Sequence, residues 1–217
     1  MPEMNTEFFS IAPDGTARGN TAEVVDEKEL SLEGVNGNKM LVELKNPNNE
    51  SERRMEFYAK EYVSEDEAKK TVALFSQLRG EGFPVPPTVR YFERDGKHFV
   101  LMTDMTEGGK YDVWTNSGGS FLQQEAASEK LRKINPTMEE VVPLIDDLCQ
   151  RLTEKGYKIT GDAYALRRVG GVLQMFLLDV SNSETPRVVS EQKIFERINT
   201  IHKDSFKSRM SRILGKQ

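Results

Sequence analysis

Short alternating runs fill the first half of the chain, and longer helical stripes fill the second. Leu30 and Leu32 alternate with polar neighbours, Gly34-Val35-Asn36-Gly37-Asn38 supplies a turn, and Met40-Leu41-Val42-Glu43-Leu44 continues as a strand. Asn-Gly between alternating runs is a hairpin signal. After the helix-hostile Asn46-Pro47-Asn48-Asn49, residues Met55 to Val63 suit a third strand, although Met55, Tyr58, Ala59 and Tyr62 also fit the 3.6 period of a helix. Ser64-Glu65-Asp66-Glu67 opens a helix to about Arg79, with Ala68, Val72, Phe75 and Leu78 as its buried stripe. Phe83-Pro84-Val85-Pro86-Pro87 forbids helix. A second hairpin follows, Val89 to Glu93 and Lys97 to Thr103 about Arg94-Asp95-Gly96. The pattern predicts five strands and one helix over 28–104. Residues 1–27 fit either a glycine loop (Gly15, Gly19) entering a strand or an irregular extension, and the extension is the simpler expectation.

Beyond a glycine-rich linker at 105–119, the segment 120–217 turns mainly helical. Ser120 to Lys133 predicts a polar helix. Thr137-Met138-Glu139-Glu140 is a capping box for a helix carrying Val141, Leu144, Ile145, Leu148 and Leu152 inward until Gly156. Cys149 flanks that stripe and is expected to be a buried thiol. After Pro186 a last helix, or pair of helices, places Ile194, Ile198, Ile201, Phe206, Met210 and Ile213 inward.

Composition narrows the function classes. The chain has 217 residues, 30% of them charged, and a net charge of −5, which argues against a general nucleic-acid binder. With one cysteine and two histidines there is no internal disulfide and no cysteine-built zinc site. No apolar run approaches a membrane span and the first residues lack a signal-peptide pattern, so a cytoplasmic protein is expected; export by a non-classical route would leave no such mark. The end from Arg187 carries eight Lys or Arg against three Asp or Glu. That balance suits an acidic partner or a membrane surface or, more simply, a solvated face or docking on the acidic body of the same protein.

The candidate chemistry lies between Gly161-Asp162 and Leu178-Asp179. The residues between them form strand, Gly170-Gly171 turn and strand, so a hairpin would set two carboxylates at one end of a ribbon. Phosphoryl transfer uses such a pair, one acid near the attacking hydroxyl and one on Mg²⁺. Taken singly, each aspartate is equally a turn residue or a strand end.

The order of elements resembles a protein-kinase-like fold, closest to the aminoglycoside-type small-molecule kinases and the minimal bacterial effector kinases, over about 29–182. Gly34 to Val42 resembles the glycine loop over ATP, Phe57-Tyr58-Ala59-Lys60-Glu61 the third-strand lysine motif, and Gly82-Phe83-Pro84-Val85-Pro86-Pro87 the passage from helix to fourth strand. Val100 to Met105 resembles the hinge strand beside adenine, Gly161-Asp162 the end of the catalytic loop, and Leu178-Asp179 the metal-binding position. The resemblance implies an α+β, two-lobed fold: a five-stranded antiparallel N-lobe with one helix, and a reduced, mostly helical C-lobe. It implies ATP and Mg²⁺ as cofactors and a protein or small-molecule hydroxyl as acceptor. Asp162 and Lys60 would be catalytic; Gly34, Gly37, Lys60, Glu67, Met102 and Asp104 would bind nucleotide; Asp179 and Asn182 would hold the metal. Lys45 is the alternative lysine, and Gly15 with Gly19 the alternative loop.

Two departures keep a second reading open, a pseudokinase that binds without turnover. Thr160 stands where the family has histidine, and Arg167 where it has the metal-binding asparagine. Val180-Ser181-Asn182 replaces the usual Phe-Gly, and no peptide-substrate segment is recognisable. A third reading is an unrelated α+β interaction protein.

Overall fold

The computed structural model describes residues 6–11, 17–29, 38–46, 49–107, 109–115, 129–159, 164–182 and 189–215. The chain is α+β and divides into two compact units, Met1–Gly108 and Gly109–Gln217.

Unit 1 is built on strands β1 (Thr6–Ile11), β2 (Ala17–Glu29), β3 (Asn38–Asn46), β4 (Asn49–Tyr62), β5 (Val89–Arg94) and β6 (Lys97–Thr103), with helix α1 (Glu65–Gly80) between β4 and β5. Their order is β1-β2-β3-β4-β6-β5, all antiparallel, and β5 pairs back on β1 through Phe8↔Phe92 and Phe9↔Tyr91. The five-stranded sheet expected from sequence is therefore a closed six-stranded barrel. The reason lies in residues 1–27, expected to be an extension, where β1 and most of β2 are found. Adding β1 lets the sheet close and removes both of its open edges.

Along β4–β6–β5 the register puts Ala59 opposite Leu101, and Phe99 opposite Phe92. These residues and Phe57 are buried on one face. The other face carries Lys60, Tyr62, His98 and Tyr91, and α1 lies against it, with the Lys69 ammonium 5.2 Å from the centre of the Tyr91 ring. The helix begins where the sequence places it: Ser64 Oγ accepts from the Glu67 N–H at 3.3 Å. Its stripe Ala68, Val72, Phe75, Leu78 is buried, joined by Leu74. Between β5 and β6, Asp95 and Gly96 both take positive φ (53° and 72°), the geometry that a two-residue hairpin turn requires.

Unit 2 contains β7 (Val113–Thr115), α2 (described over 129–134), α3 (Met138–Lys155), β8 (Tyr157–Ile159), β9 (Tyr164–Val169), β10 (Val172–Leu177), β11 (Val180–Asn182) and α4 (Val189–Leu214). The strands form two small antiparallel sheets, β10-β9-β7 and β11-β8. The expected linker thus contributes β7, and the mostly helical lobe expected over 120–217 holds, among its described residues, β8 and β11 beside the expected β9–β10 hairpin. Trp114, Tyr164, Leu166 and Leu177 are fully buried with Phe206 of α4, whose ring stands 5.6 Å from Trp114 and 5.0 Å from Tyr164. Cys149 is buried with its Sγ 3.4 Å from the Tyr164 hydroxyl, and burial pushes the thiol pKa up.

Two expected inward residues are not. Leu144 is 37% exposed, because it sits at the edge of the Val141-Ile145-Leu148-Leu152 stripe and Cys149 takes the other flank. Ile201 is 57% exposed. Five residues separate it from Phe206, about 140° around a helix, so the two cannot share one narrow face. Two residues of the basic end meet an acid of their own unit: Lys203 and Lys207, one turn apart on α4, straddle Asp146 of α3 at 3.2 and 2.7 Å.

One guanidinium ties the hairpin to the helices. Arg168 of β9 forks onto both Glu140 oxygens (2.9 and 2.8 Å) and donates to the carbonyls of Ile134, Asn135 and Gly171. Glu140 also completes the cap by accepting from the Thr137 N–H at 2.9 Å. Arg168, then the Thr137 N–H, holds the Glu140 carboxyl at about 2, well below the usual range. A depressed carboxylate contributes stability that is fully present above its unfolded value, about 4.5, and is lost as pH falls toward 2. Arg168→Ala is expected to remove that acid-range slope. It should also lower stability at neutral pH by about 1–2 kcal/mol, the worth of a few backbone hydrogen bonds to a charged donor. Thermal melts of both proteins from pH 7 to pH 2 check this; parallel curves would count against it.

Candidate functional site

Gly156 ends α3 in the left-handed region (φ 75°) and turns the chain into β8. From there two ladders define a corner. β8 pairs with β11 so that Ile159 faces Val180. β9 pairs with β10 so that Tyr164 faces Leu177. The β9–β10 hairpin closes tightly because Gly170 and Gly171 both take positive φ (57° and 83°), and it is anchored by the buried Tyr164, Leu166, Leu173, Met175 and Leu177. Two short links join the ladders, residues 160–163 and residues 178–179. They leave from paired residues and arrive at paired residues.

Asp179 lies in the second link, partly exposed. Asp162, with Thr160 and Gly161, belongs to the first link, which is outside the described residues. Asn182 is on β11, paired with Tyr157. Among the described residues no three His, Cys, Asp or Glu side chains converge as a metal site. A Mg²⁺ ion does not require three such groups, since it is commonly held by one or two carboxylates with waters and phosphate oxygens.

The expected nucleotide residues lie in unit 1. Lys60 is on the barrel face that α1 covers, with its ammonium 5.5 Å from the Tyr62 ring centre. Lys45, the alternative, falls at a register shift in the β3–β4 ladder. Glu67 is exposed on the first turn of α1; its N–H serves the Ser64 cap and its carbonyl accepts from Thr71 Oγ1 at 2.9 Å. Gly34 and Gly37 fall in 30–37, outside the described residues, as does the expected Asn36-Gly37 turn.

Met102 is buried on β6 and pairs with Tyr58. The Asp104 carboxylate accepts from the Thr106 N–H (3.1 Å) and hydroxyl (2.6 Å), so it shapes its own turn. Arg167, at the position expected for asparagine, bonds Gln174 at 2.9 Å and lies over the rings of Phe176 (5.1 Å) and Tyr111 (5.4 Å).

Sequence reading missed Asn199, a buried amide on α4 that donates to the Tyr157 carbonyl. Its only signal is spacing: Asn199 lies seven residues before Phe206, two turns along the same helical face, but an amide there does not read as core. The Arg168–Glu140 fork was also missed, since the two residues lie 28 apart in sequence. No helix among the described residues is long and apolar enough to cross a membrane. Compared with models of protein families, with curated proteins and with solved structures, the chain matches none.

Proposed function

We propose that the chain is a small ATP- and Mg²⁺-dependent phosphotransferase of protein-kinase-like architecture, acting on a hydroxyl of a protein or small molecule. The observation that carries this reading is the double register at the corner of unit 2. Ile159↔Val180 and Tyr164↔Leu177 pair the ends of the link holding Asp162 with the ends of the link holding Asp179. In this reading two acids from separate chain segments serve an acceptor hydroxyl and a metal ion.

In this reading Asp162 orients the acceptor hydroxyl and takes its proton late, while Asp179, helped by Asn182, holds Mg²⁺. Bound Mg²⁺ supplies charge neutralisation at the transferring phosphoryl group. By the resemblance, Lys60 would be the residue for the nearer phosphates, and Gly34 with Gly37 the glycines of the phosphate loop. By the resemblance, Met102 and Asp104 would lie beside the base, although the Asp104 carboxylate is engaged with Thr106. Groups fixed in advance around developing charge often supply most of the rate enhancement in such catalysis.

One observation favours the second reading, a pseudokinase. Arg167 is a cation where an oxygen ligand for a second metal is expected, and it is held among Gln174, Phe176 and Tyr111. A thermal melt with ATP and Mg²⁺ tests both readings against an unrelated interaction protein. Saturating nucleotide at 100 times its Kd is expected to stabilise the fold by about 2.7 kcal/mol. No shift in midpoint would end both. Transfer of labelled phosphate to the protein or to a lysate then separates kinase from pseudokinase.

A further inference from the structure

Asn199 is buried to 1% exposure and stands out among the described residues as the polar side chain sealed in the core. It lies on the inward face of α4 with Phe206 and Met210, where an apolar residue would pack at no hydrogen-bonding cost. Its amide nitrogen donates to the carbonyl of Tyr157 at 3.0 Å and to Thr153 Oγ1 at 3.1 Å. Thr153 is in the last turn of α3, and Tyr157 is the first residue of β8, paired with Asn182 of β11. One side chain therefore joins the end of α3, the start of β8 and α4. β8 has only three residues, too few to hold a register by its own ladder.

We infer that Asn199 is a positioning residue for Asp179: by holding the Tyr157 carbonyl it sets the β8–β11 register, and with it the place where Asp179 leads into β11. The catalytic consequence rests on the phosphotransferase reading; the structural consequence does not. α4 thereby becomes a clamp on the site rather than a basic tail.

Asn199→Asp tests this with little change in shape. An ionised carboxyl has no donor for the Tyr157 carbonyl; a protonated one regains one. At pH 8, relative to wild type, the amides of β8 and β11 should exchange with deuterium at least tenfold faster while those of unit 1 do not change. kcat for phosphate transfer should fall by ten- to a hundredfold with KM for ATP within twofold. At pH 5.5 both properties should return toward wild type. Thr153→Val, which keeps the carbonyl bond, should resemble wild type throughout. Should the aspartate variant not fold, Asn199→Ser, with one donor on a shorter arm, is read in the same way at pH 8. Unchanged exchange in β8 and β11 overturns the inference, as does a loss of protection spread evenly over α3, α4, β9 and β10. If wild type transfers no phosphate, the phosphotransferase reading falls and exchange alone decides the role of Asn199.

Discussion

Asp179→Asn is expected to lower phosphate transfer by about a thousandfold or more, because a neutral amide cannot balance the charge of a metal ion on the phosphates. The substitution keeps size and shape, and Asp179 is partly exposed at the end of a link, so the melting midpoint should stay near that of wild type. The ATP- and Mg²⁺-induced rise in midpoint should shrink, since the metal is part of what nucleotide brings. Asp162→Asn is expected to lose transfer and keep that rise, because its proposed partner is the acceptor hydroxyl. The pair of melts therefore separates the two acids by role. If both variants transfer phosphate at the wild-type rate, the corner of unit 2 is not the site.

Phe206→Ala should be the most damaging of the single core changes in α4. The ring is fully buried and packs at a tilt against Trp114 and Tyr164, at 5.6 and 5.0 Å. Removing it opens a cavity in a layer already closed by α3 and the β10-β9-β7 sheet. A loss of about 3–5 kcal/mol is expected for such a truncation, or roughly 10 °C or more in midpoint for a chain of this size. Trp114 is the only tryptophan in the chain and touches the ring, so its fluorescence reports the event directly. Ile201→Ala, on the same helix but 57% exposed, should cost far less. Equal effects from the two changes would mean that the inward face of α4 is misassigned.

These expectations show where sequence reading succeeded. Ser64 and Thr137 announce helix starts because a cap is a contact between residues three apart, visible without a fold. Gly170-Gly171 and Asp95-Gly96 announce turns because positive φ is a local demand that few residues meet. The stripe of α1 was legible for the same reason: Ala68, Val72, Phe75 and Leu78 lie within one helix. Where reading failed, the missing information was long-range. β2 is mostly polar, and the place of β1 depends on closing against β5, some eighty residues away. Ile201 looked like core because it is isoleucine, but the face of α4 that is buried is the one α3 and the sheet leave room for.

By itself the sequence determined the strand-and-helix order of most of the chain, the caps and turns that bound its elements, the single buried thiol, and the two aspartates flanking a hairpin. The tertiary structure alone decided that the first sheet closes into a barrel, that a buried asparagine and an arginine–glutamate fork tie unit 2 together, and that the links bearing the acids begin and end in register. Local choices depend on the dihedral preferences and hydrogen bonds of neighbours. Closure, burial and register depend on which distant surfaces exclude water together, and a linear string does not contain that.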